Sequence, residues 1–369
     1  MSGRIIVFGA TGYTGRRAAE ALAARDERPL LAGRSSQRLR PLAERLGGLD
    51  YAVADVGSAG SVRSLAEPGD VLVSTVGPFA RFGIPALEAA VDAGAWYLDS
   101  TGEPPFIRSV FERFGPRAAA AGTGLVTAFG YDFVPGNLAG ALALREAGDR
   151  ATRVDIGYYV TGLAGNLGRA VSRGTRASMT GTLLEPMYAW RRGIRTERGG
   201  TRVRSFSVAG REQPGLSIGA SEHFALPRLH SGLAEVNVYL GWFGPATRAL
   251  AGLSRATPLL ARVPGMRAGL RALTERPSAT GGSEPTPEAL AALESHAVAI
   301  AYDKSGERLG EVRLAGSDPY EFTANLLAWG AVRARDAGGL RDVGALGPAE
   351  AFGVDELERG CAEAGIRRC

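Results

Sequence analysis

The first 130 residues alternate short apolar runs with stretches of helical periodicity. Ile5-Ile6-Val7-Phe8 is apolar without a break, the pattern of a strand covered on both faces. Residues 14–25 then recur at helical spacing. Further strands are predicted at Leu30-Leu31-Ala32, at Tyr51, Val53 and Val56, at Val71-Leu72-Val73, at Trp96-Tyr97-Leu98 and at Leu125-Val126-Thr127. Between them, Leu39, Leu42, Ala43 and Leu46 fall on one helical face, and 84–93 reads as a helix stopped by Gly94. Repeated strand–helix–strand units predict an α/β fold with a Rossmann-type, doubly wound parallel sheet. Such sheets bind ligands beyond the carboxyl ends of their strands.

The pattern changes after Asn137. An alanine-rich helix is expected over 138–148, and strands over 154–160, 203–208, 217–226 and 236–240. Residues 297–302 and 311–314 flank Ser305-Gly306-Glu307, which predicts a hairpin. This stretch reads as an inserted α+β domain with a mainly antiparallel sheet. The expected division is a dinucleotide-binding domain over 1–136, a substrate and dimerisation domain over 137–316, and C-terminal helices over 317–369 that pack back on the first domain. Residues 276–286, rich in Pro, Ser, Gly and Thr, read as a linker, and Pro287 fits the first turn of a helix over 288–294.

Composition removes several classes of function. With 45% hydrophobic and 22% charged residues, extended disorder is excluded. Cys361 and Cys369 are the only cysteines, which excludes a disulfide scaffold and fits a reducing, cytoplasmic compartment. The histidines, His223, His230 and His296, are scattered, and no metal site is expected. Lys304 is the only lysine among 43 basic residues. Ile300 stands four places before it, so no Tyr-x-x-x-Lys proton relay can be drawn. No Gly-Lys-Ser or Gly-Lys-Thr occurs, so a P-loop is absent. The net charge of +5 is an arginine-rich background without a basic, aromatic-interleaved stripe, and no nucleic-acid partner is expected. The opening residues lead straight into a strand without the apolar region of a signal peptide. No apolar run is long enough to span a bilayer.

The exit of the first strand carries the most informative motif, Gly9-Ala10-Thr11-Gly12-Tyr13-Thr14-Gly15. Glycines permit a tight turn and close approach of backbone to a pyrophosphate, and the helix N-terminus directs free N–H groups at its charge. The exit of the second strand reads Ala32-Gly33-Arg34-Ser35-Ser36, with no carboxylate for a ribose 2′-hydroxyl. Arg34, with Ser35 beside it, can instead make a forked contact to a 2′-phosphate, which favours NADP over NAD. Asp55 ends the third strand, where it either meets the adenine amine or caps a short helix over 61–66.

Further segments resemble the saccharopine dehydrogenase-like family of NADP-binding oxidoreductases. They are Val76-Gly77-Pro78-Phe79 with Phe82-Gly83, then Tyr97-Leu98-Asp99-Ser100-Thr101-Gly102-Glu103, and Phe129-Gly130-Tyr131-Asp132-Phe133-Val134-Pro135-Gly136-Asn137. Late in the chain, Gly344-Ala345-Leu346-Gly347-Pro348-Ala349 leads to Ala364-Gly365-Ile366, similar to the family's terminal helix and tail. Ser172-Arg173-Gly174-Thr175 is similar to a Ser-Gly-Gly-Thr element, with Arg173 departing from it. The closest flavour is the short bacterial branch that includes trans-acting enoyl reductases. The resemblance implies that Val76, Gly77, Pro78 and Phe79 lie along the ribose and nicotinamide, and that Thr101, Gly102 and Glu103 border nicotinamide and substrate. Family members act on imines of amino acids, on enoyl lipids, or have no known reaction.

Reduction needs a proton source beside a hydride donor. Candidates are Tyr131, Asp132 and Glu103. Asp99 reads equally as a strand-end carboxylate fixing backbone N–H groups. His223, on a predicted strand, reads as a satisfied core or surface group rather than an acid. Tyr158, Arg173 and Thr175 are second-domain candidates for substrate contact, and Arg173 or Arg176 could meet a substrate carboxylate. Residues 238–273 mix Leu, Trp and Phe with Arg between prolines. They read as cover for the sheet or a subunit interface of a homodimer, with a peripheral membrane or lipid contact as the alternative. The expected function is NADPH-dependent reduction of a C=N or activated C=C bond of a small or lipid-like metabolite. The alternative is a cofactor-bound binding or scaffold protein without turnover.

Overall fold

Uninterrupted apolar runs must be covered on both faces, and the fold covers them. The computed structural model describes residues 3–162, 187–197, 200, 202–242, 244, 247–249, 251–252, 284–316 and 318–369. The chain begins with β1 (Ile5–Phe8), α1 (Tyr13–Ala23), β2 (Leu30–Gly33), α2 (Ser36–Arg45), β3 (Tyr51–Val53), α3 (Ala59–Arg63) and β4 (Val71–Ser74). It continues with α4 (Phe79–Phe82), α5 (Ile84–Ala93), β5 (Trp96–Asp99), α6 (Pro104–Ser109), α7 (Gly115–Ala120) and β6 (Gly124–Val126). Then come α8 (Val134–Ala147), β7 (Arg153–Thr161), β8 (Met187–Arg191), β9 (Ile194–Glu197), β10 (Val203–Val208), β11 (Arg211–Ser217), α9 (Glu222–Leu229) and β12 (Glu235–Leu240). The described chain ends with α10 (Pro287–Ala291), β13 (Glu294–Tyr302), β14 (Arg308–Gly316), α11 (Pro319–Asp336), β15 (Gly344–Ala345), α12 (Pro348–Phe352), α13 (Val354–Ala364) and β16 (Ile366–Arg368).

The first sheet has the order β3-β2-β1-β4-β5-β6-β15, and every neighbouring pair is parallel. The order reverses between β1 and β4, which opens a crevice at their carboxyl ends. All four residues of β1 and of β4 are buried, Ser74 being the one polar residue among them. The expected doubly wound sheet is therefore present.

The second sheet runs β10-β11-β12-β7-β13-β14-β16, with β8 pairing β12 and β9 pairing β8. Among the described strands of this sheet, only β12–β7 is parallel. Val154, Ile156 and Tyr158 of β7 join the main core with α8, whereas Tyr159 packs with Phe206, Val208, Tyr239 and Val298 in a second cluster. Asp303 shapes the expected hairpin turn, its Oδ1 accepting from the amides of Ser305 at 2.8 Å and Glu307 at 3.0 Å. The last residues bind both sheets: α11 packs on α1, β15 extends the first sheet and β16 pairs with β14.

One predicted strand is a helix. The stretch 217–226 divides into the end of β11 and the start of α9, so His223 lies on a helix. Residues 220–226 are buried without alternation, and periodicity does not distinguish a short strand from a helix in such a run. Strands β8 and β9 were not expected. They form a hairpin whose turn holds Arg192 and Gly193 at positive φ. Ser172, Arg173, Thr175, Arg176, the linker over 276–283 and most of 243–273 fall outside the described residues. Of the stretch 238–273 read above, the described Tyr239 and Leu240 are buried in β12.

Candidate active site

The glycine loop leaves β1 at the crevice. Gly9 adopts φ +90°, and the amides of Gly9 and Ala10 donate to Ala32 O at 2.9 and 3.1 Å. A Cβ on Gly15 would lie 2.3 Å from Gly9 O and 2.6 Å from Thr75 Oγ1, so this glycine is demanded by the packing of α1 onto the loop. A Cβ on Gly12 would meet only Gly9 O, at 3.2 Å, and Gly12 is exposed. Among the described residues, the N–H groups of Tyr13, Thr14 and Gly15 have no acceptor, as the first turn of a helix requires. Thr11 is part-exposed beside them. The Tyr13 ring packs edge-on against Tyr320 at 5.2 Å and lies under Arg17, so Tyr13 offers the crevice its amide rather than its ring.

At the end of β2, Arg34 is exposed and Ser35 is the N-cap of α2, with no side-chain cap bond. Arg38, one turn later, donates to Thr11 O at 2.9 Å and joins the glycine loop to α2. It was missed in the sequence, although its spacing of four from Arg34 is a helical one. No carboxylate occupies the first turn of α2. Asp55 accepts the Gly57 amide at 2.7 Å, while Ser58 is the N-cap of α3. One oxygen of Asp55 thus shapes its own turn, and the helix-capping alternative does not hold.

Beyond β4, Gly77 is exposed, Val76 and Pro78 are part-buried and Phe79 is buried against Phe106. This segment is held by Glu103, whose two oxygens accept the amides of Phe79 at 2.8 Å and Ala80 at 2.9 Å. Glu103 was expected to be catalytic. In the structure it satisfies the N-terminus of α4, and its own amide donates to Thr101 Oγ1 at 3.1 Å. Thr101 is fully buried, so at this corner Gly102 is the more accessible residue. Asp99 Oδ1 accepts from Thr101 and Ala128 amides at 2.9 and 3.0 Å, tying β5 to β6; burial pushes its carboxyl up to about 6. It takes the strand-end role.

Tyr131 is likewise engaged by the backbone. Its hydroxyl donates toward Tyr159 O at 2.7 Å and His296 O at 3.2 Å, linking the β6–α8 turn to β7 and β13. Burial pushes its phenol well above the usual range. A hydroxyl that spends its proton on backbone carbonyls is a poor acid for substrate. Asp132 differs. Its carboxyl faces Gly102, a Cβ there lying 3.3 Å from Asp132 Oδ2, and its Oδ1 is buried without a hydrogen-bond partner. Burial pushes this carboxyl up to about 7. His223 is fully buried, its Nδ1 facing the Ala220 amide and carbonyl at 3.1 and 3.0 Å, and burial lowers it to about 3. It is neutral at physiological pH. Tyr158 is also buried, its hydroxyl engaged by Glu222, Phe133 and Gly136. Glu222 was missed because it fell inside the supposed strand.

The solved structure of apo saccharopine dehydrogenase (L-Glu forming) from Saccharomyces cerevisiae superposes over 100% of this chain and 99% of its own, with a TM-score of 0.60 at 12% identity. The chain has the saccharopine dehydrogenase fold. In sequence, it is 39% identical over 140 residues to a trans-acting enoyl reductase of Mycobacterium ulcerans (strain Agy99), and 39% identical over 140 residues to one of Mycobacterium leprae (strain TN). Each match spans 36% of this chain and 34% of the relative, so the chain spans about a third of the length of the curated relatives it matches. No family model matches. The resemblance carried by the motifs agrees with both findings: a saccharopine dehydrogenase fold with enoyl reductase relatives. Among the described residues no helix is long and apolar enough to cross a membrane, and no group of three His, Cys, Asp or Glu could hold a metal ion.

Proposed function

We propose that this protein is an NADPH-dependent oxidoreductase that reduces an activated C=C bond of a small or lipid-like substrate. The observation that carries the reading is the β1–β2 corner. There the open amides of Tyr13, Thr14 and Gly15 face the crevice end of the sheet, and Arg34 and Arg38 stand at the β2 exit without a carboxylate. Helix N-termini accept phosphate charge, and paired guanidinium groups suit a 2′-phosphate. The fit extends along the sheet, with Ser35 at the α2 N-cap and Val76, Gly77, Pro78 and Phe79 beyond β4. The choice of C=C is supported by the relatives named enoyl reductases. The C=N alternative has the fold alone in its favour.

When bound, NADPH supplies the hydride. The chain has to hold the substrate, exclude water and deliver one proton to the carbon next to the new C–H bond. Asp132 serves as that donor in this reading. It is a buried carboxyl held in its acid form up to about 7, at the carboxyl end of the β5–β6 pair beside Gly102. Glu103 positions the Gly77–Phe79 segment, and Asp99 fixes the strand ends around it.

The test is NADPH oxidation by the purified chain with a panel of enoyl thioesters and cyclic imines, with an Asp132→Asn variant alongside. Turnover of an enoyl thioester, lost in the variant while NADPH binding persists, is the expected result. Turnover of imines only would overturn the C=C assignment. NADPH binding without any turnover would favour the scaffold alternative.

A further inference from the structure

Glu222 and Tyr158 meet where three elements converge. Glu222 opens α9, Tyr158 lies in β7, and both touch the first turn of α8, just after Asp132. Tyr158 Oη lies 2.6 Å from Glu222 Oε1, 2.8 Å from Phe133 O and 2.8 Å from the Gly136 amide nitrogen. A Cβ on Gly136 would stand 2.2 Å from Tyr158 Oη and 2.7 Å from Glu222 Oε1, so only glycine admits this arrangement. Glu222 and Tyr158 are both completely buried.

Proton counting decides the state of the trio. A phenol has one hydrogen to donate. The Gly136 amide donates to it, and the Phe133 carbonyl can only accept. If the phenol hydrogen goes to Phe133, the contact to Glu222 is a hydrogen bond only when Glu222 donates. If Glu222 were ionised and took the phenol hydrogen, Tyr158 Oη and Phe133 O would face each other at 2.8 Å with no hydrogen between them. We propose that Glu222 works as a neutral carboxylic acid that donates to Tyr158, and that this bond locks the turn from Asp132 to Gly136 and so positions Asp132. The proposal rests on the reading of Asp132 as the proton donor.

The groups around Glu222 agree. From β7 it meets Tyr158, from β8 Tyr188, from the β6–α8 turn Asp132, and on its own helix Ser221 and His223. His223 is neutral, and Arg228, at the far end of α9, pairs with Glu350 of α12 at 3.7 Å. Burial first, with the Asp132 charge adding to it, holds the carboxyl protonated up to about 8. Ionisation of Asp132 therefore strengthens the hold of Glu222 on its proton.

Infrared difference spectra of the full chain against Glu222→Gln test this without any turnover. At neutral pH the difference should contain the carbonyl band of a protonated carboxyl. That band should vanish on titration near 8, and at lower pH in an Asp132→Asn background. Absence of the band, or a titration that Asp132→Asn does not move, overturns the proposal. For positioning, Glu222→Gln, whose amide can still donate to Tyr158, should keep kcat and keep the alkaline limb that Asp132 sets near 7. Glu222→Leu should lower kcat by about tenfold or more with unchanged NADPH affinity. Equal kcat in Glu222→Leu overturns the positioning role. A chain that turns over nothing, yet shows the band, refutes the proposed function and leaves the Glu222 assignment standing.

Discussion

The Glu103 carboxylate accepts the Phe79 amide at 2.8 Å, with its second oxygen on Ala80 at 2.9 Å. A side chain from the β5 exit thus fixes the backbone at the β4 exit, the two segments that border the crevice. Glu103→Gln exchanges one acceptor for a donor that faces an N–H group. The expected cost is about 1–3 kcal/mol of stability, together with weaker NADPH binding. The shape of the pH–rate profile should not change, because Glu103 exchanges no proton with substrate. Chemical denaturation and NADPH fluorescence titration measure both. A flattened pH profile would return Glu103 to the list of acids.

Tyr131→Phe separates structure from catalysis in the same way. The variant loses the bonds to Tyr159 O and His296 O and is expected to lose about 1–3 kcal/mol of stability. Its kcat under conditions where it is folded should stay within a few-fold of the parent. A fall of about 10² or more with unchanged stability would reinstate Tyr131 as the acid.

Gly12 and Gly15 are expected to fail differently. Gly15→Ala places a Cβ 2.3 Å from Gly9 O and should lower the Tm of the cofactor-free protein. Gly12→Ala meets nothing closer than 3.2 Å, at a φ of −80° that alanine adopts freely. It should fold normally and bind NADPH weakly, because its methyl stands where the pyrophosphate approaches. Equal NADPH affinity in Gly12→Ala would place the dinucleotide elsewhere.

Arg34 and Arg38 are expected to set coenzyme choice. Each charged contact to a 2′-phosphate contributes about 1.5–3 kcal/mol, so Arg34→Ala should cost ~10–100-fold in NADPH affinity and leave NADH untouched. Arg38→Ala should do the same and, through its lost bond to Thr11 O, loosen the loop for both coenzymes. Parallel titrations with NADPH and NADH decide it, and a parent that binds both equally would remove the argument.

The pH dependence follows from Asp132. Burial raises its carboxyl to about 7, so the acid form is present below that value and disappears above it. If Asp132 donates the proton, kcat falls as pH rises through 7, and Asp132→Asn is slower by about 10²–10⁴ with no such limb. The linkage to stability has the same sign. The folded pKa is above the unfolded one, so the stabilising contribution is full below the ordinary carboxylate range. It is lost as pH rises towards 7. Asp132→Asn should therefore be relatively more stable at alkaline pH, which thermal melts across pH will read.

How much was legible in the sequence depended on how local the cause was. The uniform apolar runs of β1 and β4 and the glycines between β1 and α1 determined a parallel sheet with its crevice at the strand exits. Strand burial and tight turns act over a few residues, so they leave their mark in consecutive positions. The absence of a carboxylate after Gly33 was equally plain. What the carboxyls and phenols do was decided only in three dimensions. Glu103 is committed by amides 23 and 24 residues away, Tyr131 by carbonyls on β7 and β13, and Glu222 by a phenol 64 residues away on another element. A titratable side chain takes its protonation state from burial and from partners brought in by the fold, and neither is encoded by its neighbours in the chain. Asp132 differs from Glu103 and Tyr131 for that reason: its Oδ1 is buried without a hydrogen-bond partner, whereas their polar atoms are committed to the backbone.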